Sequence, residues 1–113
     1  MFPSPNEYLH HILDETEYLM AQRQGLIEGR FLADATRRRA FSRSLEIIGE
    51  ATKNLSVEFR DLHPDVDWRS MAGMRDRLIH GYMSVDYELV WDVVVNHIPD
   101  LHDEIQRILS ELE

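Results

Sequence analysis

The sequence contains no cysteine, which removes disulfide frameworks and thiolate chemistry together and makes a reducing, cytoplasmic compartment the expected one. Long apolar runs are missing too. Runs such as Val93-Val94-Val95 fall far short of the roughly 20 residues a bilayer-spanning helix needs, so no membrane role is expected. The opening Met1-Phe2-Pro3-Ser4-Pro5 has neither a basic nor an apolar signal region, and no secretion signal is expected. Neither an HExxH pattern nor a Cys/His cluster occurs, so no metal site and no cofactor are expected. Repeats and low-complexity stretches are absent, and five Gly and four Pro leave few breaks. A chain of 113 residues supports one core, so residues 1–113 are read as a single helical domain.

Basic charge is scarce as well. Twelve Lys and Arg against 21 Asp and Glu give a net charge of −9, which argues against general nucleic-acid binding. The distribution is uneven, however. Residues 37–77 hold nine of the basic residues against seven acids, a net of +2, so a phosphate site would have to lie there.

What is present is helical periodicity almost throughout. Ser4 or Asn6 can cap a first helix running to about Gln24, with Leu9, Ile12, Leu13, Leu19 and Met20 on one stripe. Gly25 and Gly29 punctuate the connection that follows. Asp34 is a good N-cap for a longer helix from Ala35 to about Val57. Its apolar stripe (Phe41, Leu45, Ile47, Ile48, Ala51, Leu55) is wider than one neighbour needs, which suggests a second subunit. Residues 56–67 read as a short helical turn and a loop, because Pro64 disfavours a helical His63. Asp67 caps a third helix from Trp68 to about His80, with Gly81 as its stop. Asp86 caps a fourth, which Pro99 should kink or split near Val95. These four main helices make an all-α, antiparallel four-helix bundle the expected architecture.

One feature of the third helix is not required by packing. At ~100° per residue, Trp68, Met71, Met74 and Leu78 form the inner face, and Arg75 falls within that arc. A guanidinium there either pairs with a carboxylate of a neighbouring helix or lines a polar cleft, because an unpaired buried charge costs several kcal/mol. Asp76 and His80 are one turn apart, so the carboxylate can orient the imidazole. Arg75 and His80, five apart, diverge by ~140° in an ideal helix. For both to reach one phosphate, the chain must unwind at Gly81 or a second copy must supply part of the site. The adjacent His10-His11 read as surface residues, His97 and His102 lack ligand spacing, and Trp68 and Trp91 read as core. Arg37, Arg38, Arg39 and Arg43 form the only basic run, either a solvated helix face or a secondary RNA contact.

Arg75, four intervening residues, His80, one residue and Tyr82 match the R-x4-H-x-Y signature, and on it the chain resembles the HepT-like toxins of the HEPN family. The flanking segments fit in the same order: Leu45-Glu46-Ile47-Ile48-Gly49-Glu50-Ala51, Trp68, Val85-Asp86, Val90-Trp91 and Ile98-Pro99-Asp100-Leu101. The first helix matches only loosely. The resemblance implies a dimeric, metal-independent endoribonuclease toxin of a toxin–antitoxin pair, with Arg75 and His80 catalytic. Asp76 and Tyr82 would support them, and the expected products are a 2′,3′-cyclic phosphate and a 5′-hydroxyl. It also implies a partner, a minimal nucleotidyltransferase antitoxin that silences the toxin by attaching AMP to Tyr82. The alternatives are a non-catalytic helical dimer serving as interaction subunit for that nucleotidyltransferase, and a regulatory bundle that keeps the motif for dimer packing.

Overall fold

Four helix starts are written into the sequence as oxygen-bearing side chains that accept a bond from the backbone N–H three residues on. Asp34 accepts from Arg37 (3.1 Å), Ser56 from Phe59 (3.0 Å), Asp67 from Ser70 (3.2 Å) and Asp86 from Leu89 (3.1 Å). A computed structural model of the chain describes residues 4–113; the signal-peptide reading of Met1 to Pro3 lies outside them. The described residues form helices α1 (Pro5–Arg23), α2 (Glu28–Ala33), α3 (Ala35–Asn54), α4 (Val57–Asp61), α5 (Trp68–His80), α6 (Tyr87–Asn96) and α7 (Ile98–Leu112). A 3-10 turn, Tyr82–Ser84, follows α5. No strand occurs among the described residues, so the all-helical expectation holds.

The departures have local causes. Ser4 sits at the N-cap of α1 without a side-chain bond, and Pro5 opens the helix. Gly25 adopts φ 72°, which turns the chain, but Gly29 lies inside the short α2 rather than in a linker. There the fully buried Phe31, stacked on Phe41 with ring centroids 5.0 Å apart, outweighs glycine's poor helix propensity. The long helix stops at Asn54, short of Val57, because Ser56 caps a new helix and Leu55 turns extended. Pro99 splits the helix, as expected, rather than kinking it. It lies in the first turn of α7, and the chain breaks at His97. Trp68 and Trp91 are buried, as expected; the Trp68 indole donates to His63 O (3.0 Å) and ties down the loop before α5.

Helix α3 is the spine. It packs against α1 on one side and α5 on the other, while α1 also packs on α7. Most of its wide apolar stripe is consumed within the chain, but Ile47 stays partly exposed and outside the core, so that one position remains open to a second subunit. The α3–α5 contact runs through Gly49, where an added Cβ would collide with Arg75 Cβ and come within 2.7 Å of Met71 O. On its other side α5 stands off from α6 and α7, and a cavity of about 590 Å³ opens between them. Gly73 faces that space, and an added Cβ there would meet nothing within 4 Å.

These two helical glycines should respond oppositely to the same substitution. Gly49→Ala forces α5 away from α3 and should lower stability by about 1–3 kcal/mol. Gly73→Ala gains helix propensity without a clash and should raise it by about 0.5–1 kcal/mol. Urea unfolding of both variants measures this, and shifts of the same sign would refute the packing described.

Candidate functional site around Arg75 and His80

Gly49 brings the α3 and α5 backbones together, so the polar side chains beside that contact are forced into each other. Arg75 Nε lies 3.0 Å from Glu50 Oε2 on α3, and its Nη1 donates to Asp76 Oδ1 at 3.1 Å. The same Asp76 oxygen accepts from Lys53 Nζ, also on α3, at 2.9 Å. Four charges of alternating sign thus bridge the two helices. The sequence left two environments open for Arg75, a carboxylate partner on a neighbouring helix or a polar cleft. The first is observed: the side chain pairs with Glu50, while a quarter of its surface stays exposed (25%). Its Nη2 makes no bond among the described residues, so N–H donors remain available to an incoming anion.

Asp76 departs from its expected part. The i, i+4 spacing predicts that it orients His80, yet its bonded oxygen is occupied by Lys53 and Arg75. Two full cations outcompete an imidazole for one carboxylate oxygen. The hydrogen bond from Lys53, followed by that from Arg75, holds the Asp76 carboxyl below its ordinary range. Its role here is to hold Arg75.

His80 is the last residue of α5, is exposed, and makes no side-chain hydrogen bond among the described residues. The helix is continuous through it, so within one chain Arg75 and His80 diverge by ~140°. Gly81 then ends the helix at φ −100°; a Cβ there would sit 2.8 Å from Arg77 O. Tyr82 opens the 3-10 turn with 75% of its surface exposed, beside the equally open Met83 and the partly exposed Ile79.

The basic run on α3 divides. Arg37 pairs with Asp34 (3.0 Å) and Arg43 with Glu46 (3.2 Å), both at the surface. Arg38 turns inward, donating to Leu32 O and lying over the Tyr87 ring at 5.0 Å, so it joins α2, α3 and α6 and is no longer free for RNA. Arg39 is exposed without a bonded partner among the described residues. His10 and His11 are exposed as expected. The residues that sequence reasoning missed are Glu50 and Lys53. A signal existed: Glu46, Glu50 and Lys53 recur at helical spacing beside Gly49, a glycine in an otherwise bulky stripe.

A family model described as ribonuclease HepT-like matches residues 8–108. The chain belongs to this family. It is 46% identical over 108 residues to a Caldanaerobacter subterraneus protein named as a candidate RNase, covering 96% of each chain. A Thermococcus cleftensis protein named as a probable ribonuclease HepT is 39% identical, over 93% of this chain and 96% of its own. A Methanocaldococcus jannaschii protein, also named as a candidate RNase, is 39% identical over 94% of this chain and 88% of its own. No solved structure matches the chain at a significant level. No helix among the described residues is long and apolar enough to cross a membrane.

The depressed Asp76 carboxyl fixes the sign of one pH effect. A carboxyl held low in the folded chain contributes stability above its ordinary value of 3.8 and loses it as pH falls through the folded-state value. Asp76→Asn should therefore be less stable than the parent at neutral pH, with the gap closing in acid. Thermal melts at neutral pH and near pH ~3 test this; a gap that widens in acid would contradict the Lys53–Asp76–Arg75 linkage.

Proposed function

We propose that the chain is a metal-independent endoribonuclease, the toxin of a toxin–antitoxin pair. The observation that carries this reading is Arg75, held by Glu50 and Asp76 with N–H donors to spare, in the same segment as an unencumbered His80. The pair suits transfer of an RNA phosphodiester to its own 2′-hydroxyl. His80 accepts the 2′ proton, the 2′ oxygen attacks phosphorus, and the 5′ oxygen leaves with a proton from a second imidazole. Arg75 neutralises the charge gathering on phosphorus. The products are a 2′,3′-cyclic phosphate and a 5′-hydroxyl, and no step calls for a metal.

Two imidazoles, and an arginine ~140° from its own histidine, are best supplied by a homodimer in which two antiparallel bundles turn their motifs into one cleft. Ile79 and Met83 offer exposed apolar surface beside the motif for such a contact. The RNA would run along this cleft, with Arg39 and the outer arginines of α3, Arg37 and Arg43, as flanking contacts.

Tyr82 is the switch in this reading. Its exposed phenol attacks the α-phosphate of ATP in the active site of a partner nucleotidyltransferase, which supplies the base and Mg²⁺, and pyrophosphate leaves. The attached AMP sets a phosphate in the region of Arg75 and His80, where it competes with RNA.

His80→Ala and Arg75→Ala should each lower cleavage by ~100- to 10,000-fold, with helicity and melting temperature near those of the parent. EDTA should leave the rate unchanged. Cleavage that survives His80→Ala, or that chelation abolishes, would overturn the mechanism, and cleavage by a strict monomer in light scattering would overturn the composite site. For the switch, intact mass after co-expression with an active nucleotidyltransferase should rise by one or more AMP units. Tyr82→Phe should escape that gain. Modified protein that still cuts RNA would remove Tyr82 from this role.

A further inference from the structure

Helix α5 has a second polar face, pointing away from α3. Gly73, Arg77 and His80 follow one another along it at helical spacing, and the cavity of about 590 Å³ lies against its first two members. A second cavity of about 280 Å³ continues toward Ser84 and Asp86, sharing Met74, Arg77 and Leu89 with the first. Together they form a groove along α5 from Ser70 to Gly81, roughly 16 Å at the rise of an α-helix. The floor is apolar, made by Met71, Met74, Leu89, Val93 and Leu101.

Three observations bear on what the groove holds. The first is Gly73. At Gly49 a side chain is excluded by the packing of α3 on α5, but at Gly73 a Cβ would meet nothing, so no contact within the chain demands glycine in mid-helix. Its effect is to keep the groove open. The second is Glu104 on α7. Its Oε2 is buried and takes no hydrogen bond among the described residues, and burial, partly offset by Arg107, pushes its carboxyl above the ordinary range. A buried carboxylate oxygen without a donor is a site waiting for one. The third is the charge of the rim. Asp65, Asp67, Asp100 and Glu104 line the first cavity and Asp86 the second, against Arg77 and His97. Asp67 is committed to capping α5 and Asp65 faces Arg107 at 3.9 Å, while Asp100 and Glu104 make no ion pair among the described residues, though Arg107 acts on Glu104 from a distance.

We infer that this groove docks a partner protein through a segment whose apolar side chains fill the floor beside Gly73 and whose Lys or Arg reaches Asp100 and Glu104. The elongated shape suits a helix or extended strand laid along α5, with anchors one turn apart. An RNA strand would bring phosphates against the acidic rim, which disfavours it. The inference stands apart from the ribonuclease reading, because it uses neither Arg75 nor Tyr82.

The test is selection of a random peptide display library on the intact purified protein, followed by affinity measurement of the enriched peptides. The expected result is enrichment of peptides in which Lys or Arg adjoins aliphatic or aromatic residues. Their binding should weaken at least ~10-fold in Gly73→Trp, which fills the groove, and equally in the Asp100→Lys/Glu104→Lys double variant. Circular dichroism checks that each variant is folded, and either one suffices to decide. Failure to enrich any peptide would overturn the inference, as would enrichment of acidic ones or binding that the folded variants leave unchanged. An RNA oligonucleotide whose binding is lost in Gly73→Trp would overturn it in favour of nucleic acid.

Discussion

The close approach of α3 and α5 at Gly49 is the constraint on which the rest of the site depends. Without a side chain at that position, the α5 backbone comes down until Met71 O and the stem of Arg75 occupy the space a Cβ would need. Glu50 and Lys53 flank the contact on α3, and Arg75 and Asp76 answer them from α5. The apolar approach sets the distance and the alternating charges set the rotation. Partly exposed ion pairs contribute little to stability on their own. Their consequence lies in orientation: an arginine gripped at Nε and Nη1 has few ways to turn its remaining donors.

The same network bears on how a chain of net charge −9 could handle a polyanion. Glu50, Arg75, Asp76 and Lys53 sum to zero, so the site does not add to the repulsion that the acidic surface exerts. Most of the remaining acids lie toward the two ends of the sequence, and the groove on the far side of α5 collects several of them. One helix therefore presents a guarded cation on the face against α3 and an acidic, apolar-floored groove on the other. Ligands of opposite charge would be sorted between the two faces by electrostatics before any shape is read.

What the sequence made legible is what is decided locally. Asp34, Asp67 and Asp86 announce helix starts because a cap acts over three residues, and Pro99 marks a break because it removes a donor from its own turn. The fate of Gly29, the early stop at Asn54 and the use of the wide α3 stripe depend on distant partners such as Phe41, α1 and α5. The site divides along the same line. Arg75, His80 and Tyr82 stand out by spacing within one short segment. Glu50 and Lys53 do not, since Lys53 lies 23 residues from Asp76 and nothing in local periodicity pairs them. The misassigned partner of Asp76 has the same origin: helical spacing offers His80, but tertiary packing delivers Lys53 first.

The unbroken helix through His80 gives the motif its meaning. Five residues of regular helix separate Arg75 and His80 by ~140° in direction and ~7.5 Å along the axis. A motif that is contiguous in sequence is thus split in space, with one member turned toward α3 and the other left at the exposed helix end. Unwinding the last turn would reunite them, yet the backbone bond from Gly81 N to Arg77 O closes that turn at 2.9 Å. Convergence on one phosphate is then more readily reached by adding a second motif than by bending the first. The apolar surface of Ile79 and Met83 lies where such an addition would be made. On this view the glycine after His80 does not loosen the site. It ends the helix at the point where, in the dimer proposed above, the chemistry would pass from one chain to the other.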